Sequence, residues 1–279
     1  MTTQRIGLVL GGGAALGWAH IGVLRTLMAA GVPIHSVTGT SIGAVVAAAL
    51  AEDKLDHLEE LARNVTVGTI LRYLDPSFRR GGMLGGRTIT AELKRHFGNK
   101  RIEELATPFC AVATDLVTGE EIWLREGPVV EAVRASIALP GIFTPVRRGP
   151  HILADGGLVN PVPVAAGRAL GADKIIAVNL QADYKGRAAA AGLSPEGPLP
   201  KRAGVSITRA SVGLLLRTLT KLRLDVDAPD VLIAPTIGHV DVADFRRAAE
   251  LIRLGREAAH GALPEIERLL ADPMPKSPS

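Results

Sequence analysis

The stretch SVTGTSIGAVVAAALA, residues 36–51, restricts the fold more than any other part of this 279-residue chain. It begins with the pattern of a buried strand and ends with small residues that suit a helix packed closely against a sheet. Between the two, Gly39 and Gly43 flank Ser41 at the G-x-S-x-G spacing of a sharp strand-to-helix turn. Such a turn presents a serine hydroxyl clear of the backbone, and its glycines avoid the clash that a Cβ would cause. Ser41 is therefore a candidate nucleophile.

Strand and helix patterns alternate along the rest of the chain. Besides the strand at 34–38, buried strands are predicted at 5–10, within 109–124 as two strands joined by a turn, at 151–155, at 174–180 and at 231–234. Helices are predicted at about 18–30, 42–51, 55–64, 90–97, 128–136, from 206 onward, and 241–257. This order predicts a three-layer α/β/α fold with a mostly parallel central sheet, and the 47% hydrophobic content is sufficient for a large core.

The domain organisation is predicted to be simple. Residues 5–272 are expected to form a single catalytic domain, with a flexible excursion at about 185–204, where Gly, Ala, Pro and charged residues dominate. The tail 273–279 is expected to be disordered.

A glycine-rich loop, GGGAALG at 11–17, follows the first strand and precedes a helix. It does not match a dinucleotide fingerprint, because neither register gives G-x-G-x-x-G, and it is not a P-loop, because Trp18 stands where lysine is required. No nucleotide or other cofactor is therefore predicted. Bare glycines after a strand also expose backbone N–H groups to an anion. The loop thus predicts an oxyanion site, to which Gly11, Gly12 and Gly13 would contribute amides.

The base that would activate Ser41 has two candidates in the sequence. Asp155 ends a predicted strand and precedes Gly156 and Gly157, although a carboxylate with the usual pKa of about 3.9 is a weak base unless burial raises it. His239 follows a late strand in a loop, which leaves a Ser–His–Asp triad open. The remaining histidines lie in contexts that do not require a catalytic role.

Four segments together resemble the patatin-like phospholipase family, particularly its bacterial members. They are GGGAALGWAHIGVL, GTSIG, ASIALPGIFTPV and ADGGLVNPVPV, in that order within residues 5–182. The resemblance implies a patatin-like α/β/α fold and a Ser–Asp dyad, with Ser41 as nucleophile and Asp155 as proton acceptor. It also implies an oxyanion loop at Gly11–Gly13, to which general elbow geometry adds the amide of Ile42. The implied reaction is hydrolysis of acyl esters in (lyso)phospholipids or related lipids.

The first block departs from the family pattern at two positions. Many relatives have a fourth glycine and an arginine where this chain has Ala14 and Leu16. Backbone amides survive both changes, so the oxyanion loop is expected to persist. The arginine's contribution to holding a charged head group is lost, which favours a neutral ester or a lysolipid as substrate.

Two rival functions stay open at this stage. One is a general carboxylesterase whose triad uses His239. The other is a non-catalytic member of the family that retains the pocket and binds or regulates without turnover.

Composition limits the other partners and the location. A net charge of +4 with no basic stripe predicts no nucleic-acid binding, and no cluster of ligand residues predicts a metal. The single cysteine, Cys110, the interrupted apolar N-terminus and the absence of a spanning segment favour a cytoplasmic protein. Peripheral contact with an anionic membrane surface is a further hypothesis. Two segments are candidates for this contact. One is the basic, glycine-rich loop 79–87, which is also a candidate lid. The other is the leucine-rich helix 206–224, which could instead pack against the domain or form a subunit contact.

Overall fold

A mixed eight-stranded sheet forms the centre of the protein in the computed structural model, which describes residues 4–69, 86–198 and 203–271. The strands are β1 (Ile6–Leu10), β2 (Ile34–Thr40), β3 (Phe109–Asp115), β4 (Glu121–Leu124), β5 (Val146–Arg148), β6 (His151–Asp155), β7 (Lys174–Val178) and β8 (Val231–Ile233). The helices are α1 (Trp18–Ala29), α2 (Ile42–Ala51), α3 (Leu55–Arg63), α4 (Arg87–Phe97), α5 (Val129–Ser136), α6 (Val164–Arg168), α7 (Tyr184–Ala190), α8 (Ala203–Val226) and α9 (Ala248–Ala271). Short 3₁₀ turns lie at Ala14–Gly17, Ile102–Glu104, Gly156–Leu158 and Phe245–Arg247.

Alternation along β1 divides the protein into three layers. Leu8 and Leu10 point into the main core with α1, α2 and α9, whereas Val9 points into a smaller cluster on the opposite face. Successive side chains of a strand face opposite sides of the sheet, so both faces are covered by helices. The three-layer α/β/α fold predicted from the sequence is confirmed.

The sheet has a parallel part and an antiparallel part. Strands β3, β2, β1, β7 and β8 pair in parallel in that order, whereas β4 and β6 run antiparallel to β3, and β5 runs antiparallel to β6. The parallel part carries the glycine-rich loop at the end of β1 and the G-x-S-x-G turn at the end of β2. The antiparallel strand β6 carries Asp155 at its end.

The ends of β2 and β6 meet on one edge of β3. Thr40 of β2 is opposite Val112, and Asp155 of β6 is opposite Ala113, the next residue of β3. Strand β4 pairs with the same central residues of β3 and so occupies the other edge. Two strands that run toward each other along one edge bring their last residues together, and this places the turn after β2 beside Asp155.

Helices α1 and α9 pack at very short range through two glycines. A Cβ on Gly22 of α1 would lie 1.9 Å from the carbonyl oxygen of Ile252, and one on Gly255 of α9 would lie 2.0 Å from that of Ala19. Each contact is with rigid helix backbone, so the interface has no room for a larger residue.

Several predicted elements differ in extent from the observed ones. The helix predicted at 241–257 begins only at Ala248, after a 3₁₀ turn, and continues through Pro264 to Ala271. Strand β5 was not predicted, and the segment 185–204, expected to be a flexible excursion, includes most of helix α7. The predicted tail 273–279 and most of the loop 79–87 lie outside the described residues. Among the described helices, none combines the length and apolar character needed to cross a membrane.

The α1–α9 interface generates a stability prediction. Gly22→Ala is expected to lower the free energy of unfolding by about 2–3 kcal/mol, because the new methyl group collides with the Ile252 carbonyl. Gly261→Ala in α9 is the matched control, since a Cβ there meets nothing within 4 Å. It should stabilise the protein by up to about 1 kcal/mol through helix propensity. Urea unfolding of both variants measures the difference, and equal effects would contradict the packing argument.

Candidate active site

Ser41 occupies a strained turn between β2 and α2. Its φ of 56° and ψ of −126° are unusual for a residue with a side chain. A Cβ on Gly39 would lie 2.3 Å from the carbonyl of Gly43, and one on Gly43 would lie 2.1 Å from the carbonyl oxygen of Leu10. The two motif glycines therefore allow the turn to close and let the start of α2 approach the end of β1.

A buried hydroxyl from α5 holds this turn in place. Ser136 Oγ accepts a hydrogen bond from the backbone N–H of Ser41 at 2.9 Å and donates one to the carbonyl of Val112 at 2.6 Å. Ser136 is fully buried. It thus connects the strained residue to the point on β3 where β2 and β6 meet.

The Asp155 carboxylate contacts the Ser41 hydroxyl directly. Ser41 Oγ donates to Asp155 Oδ2 at 2.5 Å, and the N–H of Gly157 donates to Asp155 Oδ1 at 2.8 Å. Asp155 is 4% exposed, and burial raises its pKa to about 6, against the smaller lowering effect of these two hydrogen bonds. A Cβ on Gly156 would lie 2.3 Å from the carbonyl oxygen of Val112, so this glycine is what lets the chain turn against β3 directly after Asp155.

The first two glycines of the loop use their amides within the protein. The N–H of Gly11 donates to the carbonyl of Val178 at 3.0 Å, and that of Gly12 donates to the carbonyl of Pro161 at 2.9 Å. Although they were predicted as oxyanion donors, both amides are already engaged. The loop nevertheless lies against the nucleophile, because a Cβ on Gly12 would be 3.4 Å from the Cβ of Ser41.

Two predicted donors keep their amides available. Among the described residues, no acceptor is recorded for the N–H of Gly13 or for that of Ile42, the first residue of α2. Ala14, next in the loop, has a φ of 50°, a conformation that glycine adopts without strain. Of the four predicted oxyanion donors, Gly13 and Ile42 are therefore the two whose amides remain available among the described residues.

The carbonyls of the loop are held as well. His20, fully buried in α1, hydrogen-bonds through Nε2 to the carbonyl of Gly11 at 2.7 Å, and burial lowers its pKa to about 4. Its ring is therefore neutral at physiological pH and donates through Nε2. Gln181 Nε2 donates to the carbonyl of Gly12 at 3.0 Å.

The other histidines of interest have partners away from Ser41. His239 Nε2 hydrogen-bonds to Glu250 in α9 at 2.9 Å, and His151 Nδ1 to Asp115 at 2.8 Å. In the part of the chain that the structure describes, the only side chain that hydrogen-bonds to Ser41 Oγ is Asp155. No group of metal-ligating side chains was found in the same ranges.

Sequence reasoning missed Ser136 and Gln181. Ser136 lies in one of the four segments quoted above, but a serine at the end of a helix carries no signal of its own contacts. Gln181 follows a strand end with no motif around it. Their roles appear only when chain segments distant in sequence are brought together.

Comparisons with known proteins cover both Ser41 and Asp155. The family model described as patatin-like phospholipase matches residues 8–167, which include Ser41 and Asp155. An uncharacterized NTE family protein of Mycobacterium tuberculosis is 41% identical over 187 residues, 67% of this chain and 52% of the relative. Another NTE family protein of that species is 34% identical and covers 93% of this chain and 46% of its own length.

Two further matches are more distant. Patatin-like phospholipase domain-containing protein 6 of Homo sapiens is 35% identical over 64% of this chain and 14% of its own length. The crystal structure of VipD from Legionella pneumophila superposes with a TM-score of 0.58 at 14% identity, over 94% of this chain and 67% of that one, and so supports the fold alone.

The chain spans about half the length of the first of these relatives, 52%, while the family model matches more than half of the chain itself. The matched range contains the glycine-rich loop, the serine turn and the aspartate turn that the structure brings together. The chain belongs to the patatin-like phospholipase family.

Proposed function

We propose that this protein is a serine hydrolase that cleaves acyl ester bonds of (lyso)phospholipids or related lipids through a Ser41–Asp155 dyad. The observation that carries the proposal is the 2.5 Å hydrogen bond from Ser41 Oγ to the buried carboxylate of Asp155. A serine hydroxyl needs a base to remove its proton as it attacks, and this carboxylate is in direct reach. Family membership supports the same chemical class.

The reaction follows acyl-enzyme chemistry. Asp155 takes the Ser41 proton while Oγ attacks the acyl carbonyl, and the protonated carboxyl then gives that proton to the departing alcohol. The acyl group is left on Ser41 as an ester. Asp155 next takes a proton from a water molecule, which attacks this ester, and returns that proton to Ser41 Oγ as the fatty acid leaves, so both residues regain their starting states.

Charge on the tetrahedral intermediate is stabilised by backbone amides. The N–H groups of Gly13 and Ile42 are the proposed donors, and the N-terminus of α2 adds a favourable dipole. These groups are fixed before substrate arrives, so they lose little energy in reorienting during the reaction.

Exposed apolar side chains close in the chain to Asp155 and Ser136 support an apolar acyl chain in the substrate. Leu158, three residues after Asp155, is 42% exposed, and Leu139 and Ile142 in the segment after Ser136 are 38% and 37% exposed. Leu16, at the position where many relatives have arginine, is fully buried. That position offers no charge to a phosphate head group, which supports a neutral acyl ester over a substrate held through its phosphate.

The dyad is tested by substitution. Ser41→Ala is expected to abolish hydrolysis of p-nitrophenyl butyrate and of a lysophospholipid, and Asp155→Asn to reduce kcat by about 10²–10⁴-fold, the usual contribution of a positioned base. The ratio of the wild-type hydrolysis rates on the two substrates distinguishes a lipase from a general esterase. Retained activity in Asp155→Asn would place the base elsewhere.

Two controls separate this proposal from the rival functions. His239→Ala should leave turnover unchanged, because His239 is bonded to Glu250, whereas a triad enzyme would lose activity. A fluorophosphonate probe should label the wild type and not Ser41→Ala. An unlabelled, folded wild type would instead indicate a non-catalytic member of the family.

The raised pKa of Asp155 generates a pH prediction. The base acts in its ionised form, which predominates above its pKa of about 6. The value of kcat/KM should therefore be constant from about pH 7 to 8 and fall about tenfold per unit below pH 6. A profile measured from pH 4.5 to 8.5 tests this, with aliquots returned to pH 8 to check that inactivation is reversible. A loss centred near pH 4 would contradict a buried base.

We further propose peripheral contact with an anionic membrane surface, for a protein located in the cytoplasm. Helix α8 exposes an apolar stripe along one face, because its members are separated by three, seven and four residues. They are Val212, Leu215, Leu222 and Val226, exposed by 51%, 69%, 59% and 88%. The same helix carries four basic side chains, Arg209, Arg217, Lys221 and Arg223, against one acidic residue, Asp225. An apolar stripe on a helix with an excess of basic residues is typical of interfacial helices.

This contact is tested with vesicles. The double variant Leu215→Glu/Leu222→Glu should lose at least about tenfold in partitioning to phosphatidylglycerol-containing vesicles, because two charges replace inserted apolar groups. Met28→Glu, a 45% exposed position on α1, is the control and should bind like the wild type. If the stripe variant instead converts a dimer to a monomer without affecting vesicle binding, the stripe is a subunit contact.

A further inference from the structure

Gln181 is a buried polar side chain beside the glycine-rich loop. It lies three residues after the end of β7, is 3% exposed, and donates through Nε2 to the carbonyl of Gly12. Its backbone N–H is held by Asn179 Oδ1 at 2.8 Å. Neither residue takes part in the dyad, and both lie beyond the segment that the family model matches, 8–167.

Arg187 of α7 fixes which end of the Gln181 amide faces the loop. Its NH1 donates to Gln181 Oε1 at 2.6 Å, and its NH2 donates to the carbonyl of Leu180 at 3.3 Å. A guanidinium carries donors only, so it selects the oxygen of the amide and leaves the NH₂ group for Gly12. Gly213 of α8 makes room for the arginine, since a Cβ there would lie 2.9 Å from Arg187 Cδ.

The orientation of the Gly12 carbonyl determines that of the next amide. The Gly12–Gly13 peptide is trans, and in a trans peptide the C=O and N–H bonds point in opposite directions. Glycines on both sides impose little conformational preference of their own, so this peptide would otherwise rotate easily. Holding the oxygen of Gly12 therefore holds the N–H of Gly13.

We infer that Gln181, oriented by Arg187, is a positioning residue that fixes the Gly12–Gly13 peptide so that the N–H of Gly13 faces the oxyanion. The inference rests on the proposed function and specifies how its oxyanion site is held. Gln181 acts through Gly13 and does not touch the reacting atoms. The donor is thereby set before the substrate binds, which is the condition under which such a donor is most effective.

Gln181→Glu is the sharpest test. The carboxylate keeps the contact with Arg187 but has no hydrogen to donate to the Gly12 carbonyl, so the peptide is repelled and turns. We expect kcat for p-nitrophenyl butyrate to fall about 10–100-fold with KM within about twofold, less than the 10²–10³-fold loss typical of removing an oxyanion donor outright. The rate of fluorophosphonate labelling should fall in parallel. Arg187→Met should show a smaller loss, because Gln181 is then free to reverse its amide.

Two comparisons distinguish positioning from a general structural effect. Arg253→Met, which removes an exposed ion pair with Glu257 in α9, controls for loss of an arginine and should behave like the wild type. A thionoester analogue gains less from oxyanion hydrogen bonds than the oxygen ester, so the ratio of the two rates should shrink in Gln181→Glu. A variant that only loosened the fold would slow both substrates alike and overturn the inference.

These experiments distinguish failure of the inference about Gln181 from failure of the proposed function. If the wild type hydrolyses and labels but Gln181→Glu stays within twofold of it, the inference fails while the dyad stands. A raised KM with unchanged kcat would also overturn it. If the wild type neither hydrolyses nor labels, the proposed function fails. The inference, which rests on that function, then fails with it.

Discussion

The site depends on the way two strands end on one edge of β3. Strand β2 leaves this edge at Val112 and β6 reaches it at Ala113 from the opposite direction, so their last residues adjoin. The carbonyl of Val112 lies at this junction, where Ser136 donates to it and Gly156 passes close to it. The contact between Ser41 and Asp155 is therefore a consequence of sheet topology. Moving either residue would require a shift in register, which would also reverse the faces of a buried strand.

Sequence alone predicted the parts of this arrangement that have local signatures. The serine turn and the aspartate turn each combine a strand end with glycines at fixed spacing, so both could be located without knowing their partners. Ser136 and Gln181 could not, because their hydrogen bonds join positions 95 and 169 residues apart. The same limit explains the glycine loop, where the pattern predicted amides but not that Gly11 and Gly12 would donate to distant carbonyls. The late start of α9 was missed because the residues directly before Ala248, Phe245–Arg247, form a 3₁₀ turn in place of the predicted first turns of the helix.

Burial raises the pKa of Asp155 to a value close to that of an ordinary histidine. An ordinary imidazole titrates near 6.5, and the carboxyl of Asp155 titrates at about 6 in this site. In the proposed dyad, proton transfer would thus have a similar driving force with one side chain fewer. The two hydrogen bonds that Asp155 accepts oppose this effect, since they favour the charged form. A third donor to this carboxylate would lower its pKa further and weaken it as a base.

The same burial has a consequence for stability. A carboxyl whose pKa is higher in the fold than in the unfolded chain favours folding most in its protonated form. That contribution is complete below the unfolded pKa of about 3.8 and is lost as the pH rises through about 6. At a pH where Asp155 is ionised, the fold therefore contains a buried charge that it would be more stable without. The close glycine contacts around Ser41, Gly43 and Gly156 and the buried hydrogen bonds of Ser136 hold that charge in place, because a looser site would admit water and return the pKa to its ordinary value.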